Sequence, residues 1–110
     1  MQVKTLKFNN ELREPIQSGE KNSTWRMFDD KDLKLGDHLS LVISETGEKF
    51  ADAVIVYVKE KKLGAIDVYD CQGHETYKSK EDMLQTYRNY YGNKVTFDTP
   101  IKLVRFKTFE

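Results

Sequence analysis

The sequence predicts an α+β domain in which a sheet of about five to six mostly antiparallel strands curls into a small barrel beside two helices. Three observations predict it. Residues 38–43 alternate, with Leu39, Leu41 and Ile43 on one face, and a Thr46-Gly47 hairpin turn leads into a second strand at 49–58. That second strand is apolar on both faces: Phe50, Val54, Val56 and Val58 on one, Ala51, Ala53, Ile55 and Tyr57 on the other. Such a strand is buried twice or bends around a barrel. Ser79 opens the clearest helical pattern, in which Met83, Tyr87 and Tyr90 form a stripe with Leu84 and Tyr91 beside it.

The remaining elements follow in chain order. Residues 2–8 read as a strand, because Val3, Thr5, Leu6 and Phe8 are β-formers. Asn9 and Asn10 can cap a short helix that Pro15 shortens and Gly19 ends in the left-handed conformation. Residues 23–28 read as extended, and 29–35 as a charged turn closing at Gly36-Asp37. Lys59-Glu60-Lys61-Lys62 reads as a solvated turn. Residues 63–68 form a short strand or a buried loop, and 70–78 are irregular. Ser79 and Asp82 resemble a capping box, Gly92-Asn93 ends the long helix, and 95–97 and 101–109 close the chain as strands around Thr99-Pro100.

Length and composition bound the function. A chain of 110 residues is one domain, spanning 1–110, with a single core. No apolar run is long enough to cross a membrane, and the N-terminal residues lack the apolar segment of a secretory signal. The lone Cys71 has no partner for an internal disulfide, which suits the cytoplasm. Lys plus Arg and Asp plus Glu both number 18, so the formal charge is zero. Neutrality argues against strong non-specific binding to DNA or another polyphosphate, which depends on counterion release. It leaves room for a local basic patch.

The densest chemistry lies in Gly19-Glu20-Lys21-Asn22-Ser23-Thr24-Trp25-Arg26. Thr24 and Arg26 are two apart, so on a strand they share a face, while Trp25 points the other way, to the core or the rim of a pocket. With Lys21 just upstream, two cations and a hydroxyl can line one pocket. Each residue also has an ordinary role: Lys21 and Arg26 as surface ion-pair partners, Thr24 as a strand residue. Cys71 and His74 set a thiol and an imidazole three apart. Zinc usually takes four ligands, no second cysteine exists and His38 is distant, so neither a metal nor another cofactor is expected. Cys71 with His74 as its base would make a thiol nucleophile, but a buried, inert cysteine is the simpler account.

Gly19-x-Lys21-x-x-Thr24-x-Arg26, the Lys34-Leu35-Gly36-Asp37 turn before a strand, the helix at Lys80–Tyr91 and the closing Leu103-Val104-Arg105-Phe106 strand together resemble the ASCH-domain family. The resemblance covers nearly the whole chain. It implies a PUA-like pseudobarrel, with a cleft between the 21–26 segment and the loop before the long helix. Within the family, the small bacterial enzymes that hydrolyse N(4)-acetylcytidine carry a lysine and a threonine in this motif and a glutamate before the long helix. The resemblance thus implies Lys21, Thr24 and Glu75 as catalytic residues; Arg26, Trp25 and His74, beside them in the chain, are expected around the substrate. Trp25 and His74 depart from those relatives. Other members of the wider family are regarded as RNA-binding modules, so the implied partner is a small nucleoside or single-stranded RNA.

Amide cleavage needs a nucleophile, a proton acceptor and a donor for the developing oxyanion. Thr24 can supply the hydroxyl. Lys21 can act as its base only when neutral, and an unperturbed lysine titrates near ~10.4. Alternatively, Lys21 and Arg26 stay cationic and polarise the carbonyl while Glu75 handles the proton. The sequence leaves both versions open.

Overall fold

The five strands form one sheet, ordered β1-β3-β4-β5-β2, in a computed structural model that describes residues 3–28, 31–74 and 76–109, with Val68 by its backbone alone. The strands are β1 (Val3–Phe8), β2 (Ser23–Arg26), β3 (His38–Ile43), β4 (Lys49–Lys62) and β5 (Pro100–Phe109). β1 runs parallel to β3; the other three pairings are antiparallel. The helices are α1 (Arg13–Ser18) and α2 (Lys80–Tyr91). The sheet curls into a half-barrel, consistent with the PUA-like pseudobarrel that the resemblance implies.

The curl has a local cause. Between Ile55 and Tyr57 the register of β4 against β5 shifts by one residue, leaving Val56 as a bulge that is 51% exposed. Before the bulge the odd residues Ala53 and Ile55 face the core; after it Val58 does. A bulge bends its strand and increases the local twist. The two apolar faces read from the sequence are therefore one core face that changes parity, and β4 is not buried twice.

Opposite the bulge, β5 changes sides as well. Val104 and Phe106 join a core with Leu6, Leu39, Leu41 and Ile55. Ile101 and Leu103 join a second core with Trp25, Met83, Tyr87 and Val95. α2 closes this second core through Met83 and Tyr87, while Tyr90 is 64% exposed and leaves the predicted stripe. Ser79 Oγ accepts the N–H of Asp82 at 3.1 Å, which caps α2. α1 is short, with Pro15 in its first turn, Ile16 buried and Gly19 at φ 86° as its left-handed cap. No described helix is long and apolar enough to cross a membrane.

Two segments differ from expectation, and residues 63–68 take the loop form and not the strand. Lys59–Lys62 continue β4, paired with 100–103 of β5, because charge reports solvent contact and not the end of backbone pairing. Lys61 lies against Asp70 at 2.7 Å and Asp67 at 3.5 Å, and the Asp70 hydrogen bond raises its pKa. Residues 63–68 form no strand: Leu63–Ala65 and Val68–Cys71 are 3-10 turns, the second held by a reciprocal cap between Asp67 and Asp70. Residues 95–97 are also not a strand. They form a loop in which the Phe97 carbonyl accepts from Gly64 N and Thr99 Oγ1 accepts from Thr96 N.

The turn before β3 is pinned by a pair that gives a pH prediction. Lys4 Nζ donates to the Asp37 carboxylate at 2.7 Å, and Lys34 N donates to the same oxygen at 2.9 Å. The Lys4 hydrogen bond, then the Lys34 amide, hold the Asp37 carboxyl below its ordinary value of 3.8. A depressed carboxylate stabilises the fold above its unfolded pKa and loses that contribution as pH falls through the folded value. Urea midpoints measured from neutral to acid pH should therefore fall below about pH 4 in the wild type. Asp37→Asn should make that acid limb shallower and lower the midpoint at neutral pH.

Candidate functional site

The site is built on β2 and the chain that enters it. β2 pairs with β5, setting Thr24 opposite Val104 and Trp25 opposite Leu103. Its entry is clamped from outside the sheet: the single carbonyl of Gly73 accepts from both Asn22 N and Ser23 N, at 3.0 and 3.1 Å. These two hydrogen bonds to one oxygen bring the 72–74 loop against the strand and place His74 over Trp25. Gly73 sits at φ 70°, in the left-handed region, and a Cβ there would run into the Asn22 side chain. Gly73→Ala should open the clamp and cost about 1–2 kcal/mol in urea unfolding. Near-ultraviolet circular dichroism should report a changed environment for the single tryptophan.

Thr24 and Arg26 do share a face. Arg26 Nε donates to Thr24 Oγ1 at 3.1 Å, and a second guanidinium nitrogen donates to the Lys7 carbonyl at 3.2 Å. The guanidinium also lies over the Phe8 ring, 5.0 Å from its centroid. Lys21 is buried at 6% exposure, and its Nζ donates to the Ser23 carbonyl at 2.7 Å. An amine taken out of water requires such acceptors. Thr24 is equally buried at 5%.

Trp25 points away from Thr24 into the second core, where it is 3% exposed. It stacks on His74 with ring centroids 3.9 Å apart and planes within 8°, and on Tyr87 at 6.1 Å. Its indole Nε1–H is buried and is the one such side-chain group without a hydrogen-bond partner among the described residues. An unmet buried donor is costly, which makes it a ready donor to a ligand acceptor that reaches it.

Lys21, Thr24, Trp25, Arg26 and His74 all line one cleft of about 460 Å³. Glu75, the remaining sequence candidate, lies outside the described residues. The structure adds Tyr77, Tyr87, Tyr90 and Tyr91 to the cleft wall. In sequence Tyr87, Tyr90 and Tyr91 can stack bases but read more simply as helix core, and nothing marks Tyr77 in its irregular segment. Cys71 is half-buried and free; burial, then the nearby Asp70 and Asp67 carboxylates, push its thiol up, away from a reactive thiolate. Among the described residues no group of three or more His, Cys, Asp or Glu could hold a metal ion.

No family model matches the sequence, and none of the curated proteins matches it. Solved structures do. An ASCH domain from Lactobacillus crispatus JV V101 superposes with a TM-score of 0.77 at 16% identity, over 97% of this chain and 79% of that one. The chain has the ASCH-domain fold. Protein EF3133 of Enterococcus faecalis V583 gives a TM-score of 0.78 at 14% identity, covering 98% of this chain and 80% of its own. Protein PF0455 of Pyrococcus furiosus gives 0.66 at 20% identity over nearly the full length of both. At such identities the ASCH likeness carries architecture and leaves the chemistry to the residues in the cleft.

Proposed function

We propose that the protein is an ASCH-domain amidohydrolase that removes the acyl group from an N(4)-acylated cytidine, with the β2 cleft as its active site. One observation supports this most: the Thr24 hydroxyl, the Arg26 guanidinium bonded to it and the buried Lys21 amine lie in one cleft with Trp25, His74 and Tyr87. A volume of about 460 Å³ is in the range of small-molecule sites. The aromatic side suits a pyrimidine, and the polar side suits an amide.

In the favoured sequence of steps, Thr24 Oγ1 attacks the acyl carbonyl and its proton passes to the base. The C–N bond then breaks, and the proton goes to the departing cytosine amine. Water cleaves the resulting ester, releasing the carboxylic acid and restoring Thr24. Arg26, already a donor to Oγ1, stabilises charge on that oxygen and on the carbonyl oxygen beside it. Lys21 is the favoured base. In the other version Glu75 takes the proton while Lys21 and Arg26 act as cations.

Incubation with N(4)-acetylcytidine, followed by chromatography for cytidine and acetate, tests the reading. The pH dependence of the rate identifies the base. A lysine base gives a limb that rises between neutrality and ~10 and moves to lower pH in Glu75→Gln. A limb in the acid range that disappears with Glu75→Gln assigns the proton to Glu75 instead.

A second reading is a non-catalytic module that recognises a nucleotide or RNA in the same cleft. The bond from Lys21 Nζ to the Ser23 carbonyl favours it, since that is how a purely structural cation is held. Saturable binding of the acylated nucleoside without release of acetate would select this reading.

A further inference from the structure

A second cleft, of about 330 Å³, adjoins the first and shares Arg26 and Tyr91 with it. Its lining also includes Phe28, Lys31 and Lys94, and no carboxylate is among the described residues that line it. In a chain of zero net charge, this places three cationic side chains around one hollow.

The second feature is Phe28. Its backbone sits at φ 51°, a conformation that L residues with bulky side chains rarely adopt, and its side chain is 51% exposed. Burial of the ring therefore does not explain the strain. The ring instead meets Tyr91 edge-on at 5.7 Å and carries the Lys94 ammonium 4.2 Å above its centroid. Among the described residues, that ammonium rests on an aromatic face and not against a carboxylate. Strained residues cluster where ligands are clamped. Here the strained residue holds a cation in the second cleft, against the Tyr91 ring that both clefts share.

We infer that the second cleft binds a phosphate attached to the nucleoside whose base occupies the first, with Lys94, Lys31 and Arg26 as its cationic partners. The ligand is then a nucleotide or a nucleotide unit of a strand, and a free nucleoside fills only half of the site. The inference rests on the reading of the first cleft as a cytidine site. Its chemistry is that of a phosphate bound by flexible cations beside aromatic rings. A phosphomonoester of a free nucleotide and a phosphodiester of single-stranded RNA both satisfy it.

The test compares N(4)-acetylcytidine, its 5′- and 3′-monophosphates and a trinucleotide carrying it at the centre. Binding is followed by fluorescence of the single tryptophan in the first mixing phase, before turnover. At low salt at least one phosphorylated ligand should bind about tenfold tighter than the nucleoside, the advantage shrinking as salt rises. Lys94→Glu should reduce that advantage to about twofold or less, whereas Lys49→Ala, on the exposed Lys49–Asp52 pair, should keep it. A gain for monophosphates identifies a free nucleotide as the source, and a gain confined to the trinucleotide identifies a strand. Nucleoside binding with no gain from any phosphate, or a gain that survives Lys94→Glu, overturns the inference and leaves the cytidine reading standing. Failure of every ligand to bind overturns both.

Discussion

Thr24→Val is expected to lower turnover of N(4)-acetylcytidine by on the order of a thousandfold or more while leaving the fold in place. Valine keeps the volume and the β-branch of threonine, so β2 should still pair with β5. What disappears is the hydroxyl and the 3.1 Å bond it accepts from Arg26 Nε, worth about 1 kcal/mol of stability. A loss confined to kcat, with KM nearly unchanged, is the signature of a group that acts in the transition state. Lys21→Ala should be at least as damaging, because either mechanism uses Lys21 as base or as cation. Turnover that survives Thr24→Val would instead identify water as the attacking group.

Trp25→Ala should cost about 3–5 kcal/mol in urea unfolding, a large share of the roughly 5–15 kcal/mol that holds a domain of this size. Trp25 is 3% exposed and fills the second core beside Tyr87 and Leu103, so its removal leaves a cavity and deprives His74 of its stacking partner. Trp25→Phe makes the contrast. It also shrinks the side chain, but it retains a ring for His74 and removes an indole N–H that has no acceptor among the described residues. Its cost should be less than half that of Trp25→Ala. Equal losses in the two variants would contradict this account, because Trp25→Phe leaves the smaller cavity and both variants remove the same unmet N–H.

Much of this fold can be read from local patterns. The period of two over Leu39, Leu41 and Ile43 is unbroken, and all three are buried. Gly19 and Gly36 mark turns because both take positive φ, and Ser79 caps α2 as its residue type suggests. The bulge at Val56 could not be read in this way. A bulge here has no fixed residue signature, and its parity change resembles a strand buried on both sides. Lys59–Lys62 pair with β5 through backbone groups that are indifferent to side-chain charge. The site divides along the same line. Thr24 and Arg26 meet because a strand places alternate residues together, which sequence spacing reveals. The Gly73 clamp, the tyrosines of the cleft wall and the Lys94–Phe28 contact join segments far apart in the chain, and one sequence carries no signal for such contacts.

The most direct test of the central claim, that the β2 cleft receives the acylated base, is a two-dimensional ¹H–¹⁵N correlation spectrum titrated with N(4)-acetylcytidine. The protein has one tryptophan and hence one indole N–H signal, from a donor that is buried and unpartnered among the described residues. The account predicts a saturable shift of that signal together with the amides of 21–26, 73–77 and 86–91. Saturable shifts confined to other surfaces, with the indole signal and the 21–26 amides unmoved, would contradict it.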